Sequence, residues 1–111
     1  MLPNHEHETM SHLLDAHQAE LERLCRRFLV RRLELFGSAA TGRYVSGTSD
    51  LDFLVEFEPA ARGAYADTYF GLLESLQQLF GRPVDLVVAA AIQNPYFRES
   101  VDQTKALVYA A

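Results

Sequence analysis

The sequence predicts a single α/β (α+β) domain in which helices alternate with the strands of one main sheet. Its 111 residues are enough for one hydrophobic core but not for two. Short apolar runs rich in Val, Leu and Phe alternate with longer stretches whose apolar residues recur at helical spacing. Gly and Pro stand between these segments, and no repeat or linker interrupts them. The resulting element order is α-β-α-β-α-β-α-β.

The amino-terminal part of the chain predicts a flexible end followed by an amphipathic helix. Residues 1–8 are mostly polar and are expected to be flexible, with the folded domain spanning residues 9–111. Thr9 or Ser11 can cap a helix that continues to about Phe28. Its apolar stripe consists of four residues at helical spacing, Leu14, Leu21, Leu24 and Phe28.

The later elements follow from apolar runs, turn residues and helix caps. In chain order they are a strand over 30–36, a short helix over 38–43, a turn at 46–49, a strand over 51–57, a helix over 64–80, a strand over 84–88, a helix over 94–104 and a strand over 106–109. Gly81 and Pro83 end the long helix. Asn94 and Pro95 begin the next helix as its cap and its first residue.

Composition and charge exclude several classes of protein. The formal net charge of −5 argues against a protein that coats DNA or RNA, because such binding needs Lys and Arg to neutralise phosphates. The apolar runs are too short to cross a membrane, and the amino terminus lacks the pattern of a secretory signal. The single cysteine, Cys25, excludes an internal disulfide and indicates a cytoplasmic protein. Cys25 and His17 are expected to be packed rather than to bind a ligand.

Five arginines cluster near the end of the first helix: Arg23, Arg26, Arg27, Arg31 and Arg32. The simplest interpretation is a solvated helix end whose cations complement the helix dipole. A docking surface for an acidic partner is the alternative.

Three aspartates interrupt two apolar strands and predict a metal site. Asp50 and Asp52 are two residues apart, so on a strand they point to the same face, about 6–7 Å from each other. Asp85 interrupts the run Val84–Val88, where a buried charge without a partner is unfavourable. If the two strands are neighbours, the three carboxylates form one cluster. Hard oxygen ligands of this kind select Mg²⁺, or Mn²⁺ in its place.

Gly37 and Ser38 join a strand to a predicted helix start and suit a phosphate group. Gly37 lets the backbone approach closely, and the first turn of a helix presents unpaired N–H groups to an anion. The Ser38 hydroxyl can donate one more hydrogen bond. A phosphate cradle that faces a metal cluster is the layout that binds a nucleoside triphosphate with its magnesium.

Together these residues resemble a known signature. Phe36-Gly37-Ser38, eleven residues, and then Asp50-Leu51-Asp52 resemble the signature of the DNA polymerase β-like nucleotidyltransferase superfamily. The segment 83–87 is similar to the third-carboxylate strand of that superfamily. The resemblance covers about residues 30–110 and implies a mixed β-sheet flanked by helices.

The short length, with the segments 94–97 and 106–109, resembles the minimal nucleotidyltransferase (MNT) group. This group includes the MntA-type antitoxins that accompany HEPN-domain toxins. One position departs from the group, because Thr41 stands where many relatives carry Arg. Two alternatives follow: Arg43, two residues later, supplies the cation that meets the phosphates, or the phosphate site is weaker than in those relatives.

The resemblance implies an activity, cofactors and a partner. It implies transfer of AMP from ATP to a hydroxyl acceptor, namely a tyrosine of a HEPN ribonuclease toxin that forms a hetero-oligomer with this chain. Two Mg²⁺ ions, or Mn²⁺, are expected among the catalytic carboxylates Asp50, Asp52 and Asp85. The nucleotide-binding residues implied are Gly37, Ser38, Arg43 and Ser49.

Two other functions stay open from the sequence. The chain can be a non-catalytic antitoxin that neutralises its toxin by forming a complex with it. Alternatively, the acceptor can be a small antibiotic or the end of a tRNA, although no basic face or added helical domain in this sequence supports that.

Overall fold

The computed structural model describes residues 14–37, 40 and 50–111. The helices in this part of the chain are α1 (Gln18–Arg27), α2 (Tyr65–Phe80) and α3 (Pro95–Thr104). The strands are β1 (Val30–Phe36), β2 (Leu51–Phe57), β3 (Val84–Val88) and β4 (Ala106–Ala110). Short 3-10 helices follow β2, at Pro59–Ala64, and β3, at Ala89–Ala91. None of the helices within these residues is long and apolar enough to span a bilayer.

The four strands form one mixed sheet in the order β3-β2-β1-β4. β1 runs antiparallel to both β2 and β4, whereas β2 and β3 are parallel. The mixed sheet flanked by helices that the sequence predicted is therefore confirmed.

The two faces of the sheet are covered by different helices. On one face Leu33, Phe53 and Leu86 pack against residues of α1 and α2, in a core that includes Leu21 and Leu72. Because side chains alternate along a strand, their neighbours in sequence point to the other face. That second face carries a smaller apolar cluster of Phe36, Leu54, Ala89 and Val101, of which Val101 belongs to α3. The sheet thus lies between α1 and α2 on one side and α3 on the other.

Most predicted boundaries agree with the structure. The strands over 30–36, 51–57 and 84–88 are observed with those limits, and β4 ends one residue later than predicted, at Ala110. α2 ends at Gly81, which has a left-handed backbone with φ of 66°. α3 begins as predicted, because the Asn94 side chain accepts hydrogen bonds from the N–H groups of Tyr96 and Phe97.

The first helix differs from the prediction. A turn at His17 separates helical residues 14–16 from α1, so the expected uninterrupted helix to Phe28 is wrong. At this turn the His17 ring meets the edge of Phe80, with the ring centres 5.4 Å apart. This contact joins residues far apart in sequence, so local propensity cannot indicate it. The predicted flexible end at 1–8, the helix start at Thr9 or Ser11, the helix over 38–43 and the turn at 46–49 lie outside the described residues.

Cys25 is packed, as predicted. Its side chain is fully buried in the core beneath α1. Burial raises the pKa of the thiol to about 12, so the group stays neutral and unreactive in the folded protein.

The core on the α1 and α2 face is the main source of stability, and Leu76 tests it. Leu76 is fully buried in α2, whereas its neighbour Gln77 is exposed on the same helix. We expect Leu76→Ala to lower the free energy of unfolding by about 2–5 kcal/mol, because it removes buried apolar surface and leaves a cavity. Gln77→Ala is the matched control and should change it by less than about 0.5 kcal/mol. Urea denaturation followed by circular dichroism measures both; equal effects would contradict this description of the core.

Candidate active site

Two of the predicted carboxylates are brought side by side by the pairing of β2 with β3. Asp52 and Asp85 are register partners on these adjacent parallel strands. Neighbouring strands lie about 4.8 Å apart, and register partners project to the same face. The strand adjacency on which the third carboxylate depended is therefore confirmed. Both carboxylates lie on the face that carries α3, near the amino-terminal ends of their strands.

Asp50 lies at the entry to β2. The strand begins at Leu51, as predicted, so Asp50 immediately precedes it and is exposed. That its side chain points to the same face as Asp52 stays a prediction. Its charge nevertheless contributes to the environment of Asp52.

The environment of Asp52 disfavours its charged form. Partial burial raises the pKa of the Asp52 carboxyl, and the negative charges of Asp85 and then Asp50 raise it further. An ionised Asp52 without a cation is thus an unfavourable group, and a divalent ion beside it removes the repulsion. The two acidic neighbours that affect Asp52 are the two that the sequence proposed as its fellow ligands.

The three carboxylates do not form a ready coordination shell. In the part of the chain that the structure describes, no group of three His, Cys, Asp or Glu side chains is arranged to hold a metal ion. The chemistry of the donors still fits Mg²⁺ or Mn²⁺, because all three offer hard carboxylate oxygens. Asp50 and Asp85 are exposed and can rotate towards Asp52, which is half-buried. The three residues therefore fit Mg²⁺ or Mn²⁺ in their chemistry, and binding would require Asp50 and Asp85 to turn towards Asp52.

Gly37 brings the backbone directly against Asp52. It follows Phe36, the register partner of Asp52, and has a φ of 77°. A Cβ at this position would lie 2.5 Å from Oδ2 of Asp52, so the Asp52 carboxylate would have to move to make room for it. The chain then turns, because the Gly37 carbonyl accepts a hydrogen bond of 3.1 Å from the N–H of Ala40. Glycine is therefore required here both for its backbone conformation and for its lack of a side chain.

Two residues that the sequence analysis did not identify also contact the site. The Thr104 hydroxyl, at the end of α3, accepts a hydrogen bond of 3.0 Å from the N–H of Gly37. The Tyr69 hydroxyl donates to the carbonyl of Leu86, next to Asp85, at 2.5 Å. Burial raises the pKa of Tyr69, and the nearby Asp85 charge raises it further. In the sequence Tyr69 belongs to the apolar stripe of a helix and Thr104 to a helix end, so neither carries a local signal of such a role.

Other predicted site residues lie outside the part of the chain that the structure describes. These are Ser38, Arg43 and Ser49, together with Thr41, which stands at the departure from the common pattern. Their roles stay predictions.

A cavity of ≈ 550 Å³ lies at the carboxyl-terminal ends of β2 and β3, away from the carboxylates. Arg31, Arg62, Tyr65 and Arg98 are among its lining residues, whereas Gly37 and the three aspartates are not. Strand register and charge therefore identify the site better than cavity size does.

Two curated proteins of Methanocaldococcus jannaschii are similar to this chain. MJ1379 and MJ0128, both assigned as protein adenylyltransferases, are 30% and 32% identical over 96 residues, which is 86% of this chain and 94% of each relative.

Solved structures are similar as well. One described as a minimal nucleotidyltransferase is 33% identical with a TM-score of 0.70, over 86% of this chain and 92% of that one. A toxin–antitoxin structure with AMP-PNP has a TM-score of 0.61 at 20% identity, over 85% and 73% of the two chains. The complex of a tri-AMPylated Shewanella oneidensis HEPN toxin with its MNT antitoxin has a TM-score of 0.55 at 17% identity, over 88% and 73%. At these lower identities the likeness shows the fold alone.

A family model places the chain by sequence. The model of the nucleotidyltransferase domain matches residues 20–108, which include α1 from Glu20 onward, the whole sheet up to Val108 and all three carboxylates. The match covers most of the chain and agrees with the fold and with the paired aspartates beside Gly37. The chain therefore belongs to the nucleotidyltransferase domain family.

Proposed function

We propose that this chain is a metal-dependent protein adenylyltransferase. It transfers AMP from ATP to a tyrosine hydroxyl of a partner HEPN ribonuclease toxin and acts as the antitoxin of that toxin. The observation that carries the proposal is the register pairing of Asp52 with Asp85 beside the close approach of Gly37. The assignment of the Methanocaldococcus relatives as protein adenylyltransferases supports the reaction class. The fold shared with antitoxins in toxin complexes supports the partner.

The site residues fall into a group that binds the triphosphate and a group that binds the metal. Gly37 lets the backbone come close to the triphosphate, and Ser38, Ser49 and Arg43 hold it. Asp50, Asp52 and Asp85 would hold two Mg²⁺ ions. When bound, the metal neutralises the triphosphate charge and lowers the pKa of the acceptor hydroxyl.

The reaction that follows is an in-line displacement at the α-phosphorus. The tyrosine oxygen forms a bond to that phosphorus while the bond to the β-phosphate oxygen breaks, and pyrophosphate leaves. Asp85 takes the proton of the tyrosine hydroxyl. The contribution of the protein is to align the reacting groups and to place charge where it is needed.

The openness of the site favours an acceptor carried by another protein. Asp50 and Asp85 are both exposed, so a side chain that projects from a folded partner can reach them. A site for a small free acceptor normally surrounds most of that molecule. The exposure of both carboxylates therefore suits an acceptor on a partner protein better than a small free acceptor.

Transfer of label tests the proposed activity. The chain, the product of the gene adjacent to its own and Mg²⁺ are incubated with ATP labelled on the α-phosphate; the proposal expects that product to be a HEPN protein. We expect label on a tyrosine of the HEPN protein, located by mass spectrometry, and loss of its ribonuclease activity. Asp50→Ala combined with Asp52→Ala should abolish the label, because the metal then loses two of its three carboxylates. Neutralisation of the toxin without any label would instead establish a non-catalytic binding antitoxin.

Replacement of Asp52 by Asn should affect stability and activity in opposite directions. Its pKa is raised in the folded state, so the fold loses stability as pH rises through the window between the ordinary carboxyl pKa and this raised value. We expect Asp52→Asn to abolish transfer yet to raise the melting temperature of the metal-free protein at pH 7. The gain should vanish below about pH 4, where the carboxyl is protonated in both states.

Asp67→Asn is the matched control for this charge removal. Asp67 is exposed in the first turn of α2, where its charge favours the helix dipole. Its replacement should leave the melting temperature unchanged or slightly lower it. Added Mg²⁺ should raise the melting temperature of the wild type and of Asp67→Asn, but not of Asp52→Asn. A metal-free Asp52→Asn protein that is less stable than wild type would contradict the assigned repulsion.

Gly37 is tested against a second glycine with the same backbone. Gly37 and Gly81 both have left-handed φ values, 77° and 66°, but a Cβ at Gly81 meets nothing within 4 Å. Both Gly→Ala variants should lose about 1–2 kcal/mol of stability through backbone strain. Gly37→Ala should also reduce transfer at least tenfold, because the new Cβ displaces the Asp52 carboxylate. Steady-state kinetics compare the two variants, and equal activity would show that the contact with Asp52 is unimportant.

A further inference from the structure

We propose that Thr104 is a positioning residue for the phosphate cradle, because its hydroxyl fixes the backbone N–H of Gly37. The inference rests on the proposed function, in which the turn that begins at Gly37 holds the triphosphate. It adds to that function a residue outside the signature, 67 positions along the chain from the glycine that it orients.

The hydroxyl of Thr104 both accepts and donates a hydrogen bond. It accepts the Gly37 N–H at 3.0 Å and lies 3.3 Å from the carbonyl of Ser100 and 3.4 Å from that of Val101. A hydroxyl has one proton to donate and lone pairs to accept. Donation to a carbonyl of the preceding turn of α3 therefore leaves a lone pair for Gly37. The oxygen is held by the helix, and the helix in turn holds the glycine.

The same face of α3 also packs against Phe36, the residue before Gly37. Phe97, Val101 and Thr104 are spaced by four and three positions, which places them on one side of the helix. The Phe97 ring meets the Phe36 ring edge-on, with centres 6.0 Å apart, and Val101 is buried in the cluster that contains Phe36. α3 thus contacts both residues that connect β1 to the turn. Thr104 supplies the only directional contact in this set, a hydrogen bond rather than packing.

The hydrogen bond to Thr104 is one of three contacts that fix the position of Gly37. Its carbonyl is bonded to the N–H of Ala40, and its Cα lies against the Asp52 carboxylate. With the N–H bonded to Thr104, both polar groups of this peptide position are paired. Release of the N–H lets the turn rotate relative to Asp52, and misplacement of a phosphate by about 1 Å can cost a large factor in rate. Thr104 therefore sets the distance between the cradle and the carboxylates.

The test replaces the hydroxyl and keeps the shape. Thr104→Val removes the acceptor from a side chain of nearly the same volume, and Thr104→Ser retains it. The matched control is Thr68→Val: Thr68 also bonds a carbonyl of the preceding helical turn, that of Ala64 at 2.8 Å, in α2. We expect Thr104→Val to lower kcat/KM for MgATP about tenfold, the effect of one lost hydrogen bond. Thr104→Ser and Thr68→Val should stay within about twofold of wild type.

A second measurement reads the geometry without catalysis. In the folded protein the Gly37 amide should exchange slowly with deuterium, as seen by NMR, and Thr104→Val should speed its exchange at least tenfold while the amides of β1 keep their protection. If Thr104→Val does not fold, Thr104→Ser and Thr104→Ala are compared, since these two differ by the hydroxyl alone. Slow exchange and wild-type kinetics in the variant without the hydroxyl overturn the inference. A wild-type protein that neither binds MgATP nor transfers AMP overturns the proposed function itself, before any Thr104 variant is considered.

Discussion

The parallel pairing of β2 with β3 is the constraint on which the rest of the site depends. It makes Asp52 and Asp85 register partners and fixes the face on which they lie. The arrangement is unfavourable for the charged form of Asp52, because burial raises the pKa of its carboxyl and the charges of Asp85 and Asp50 raise it further. Such repulsion is tolerated because the opposite face of the same strands is wholly apolar: Leu51, Phe53 and Leu86 are buried there against α1 and α2. One side of the sheet stabilises the fold, and the other side can therefore hold charges that do not.

The two faces also explain why α3 has a different role from α1 and α2. It covers only part of its face, through the small cluster around Phe36, Leu54 and Val101. The carboxylates lie beyond that cover, and the Asp50 and Asp85 side chains stay exposed. α3 therefore contributes to stability through Val101 and to the geometry of the site through Thr104. A helix that covered the whole face would give a larger core but would leave no room for a nucleotide.

The local parts of this architecture could be predicted from the sequence, and the long-range parts could not. Strand limits, the cap at Asn94 and the stop at Gly81 follow from short-range patterns, and the structure agrees with them. The carboxylates could be predicted as a site because a charged side chain in an apolar strand is unfavourable unless it has a partner. Thr104 and Tyr69 were missed because a hydroxyl at a helix end or on an apolar stripe has several ordinary roles. The turn at His17 was missed because the contact with Phe80 that accompanies it joins distant parts of the chain.

The three carboxylates differ in how firmly the fold holds them. Asp52 lies on β2, which has strands on both sides, and it contacts Gly37. Asp85 lies on β3, the edge strand of the described sheet, where the hydrogen bond from Tyr69 to the carbonyl of Leu86 fixes the neighbouring peptide. Asp50 precedes β2 and is not among the residues that pair in the described sheet. In the proposed function, one firmly held carboxylate between two exposed ones would suit a metal that must be taken up with the triphosphate and released with the product.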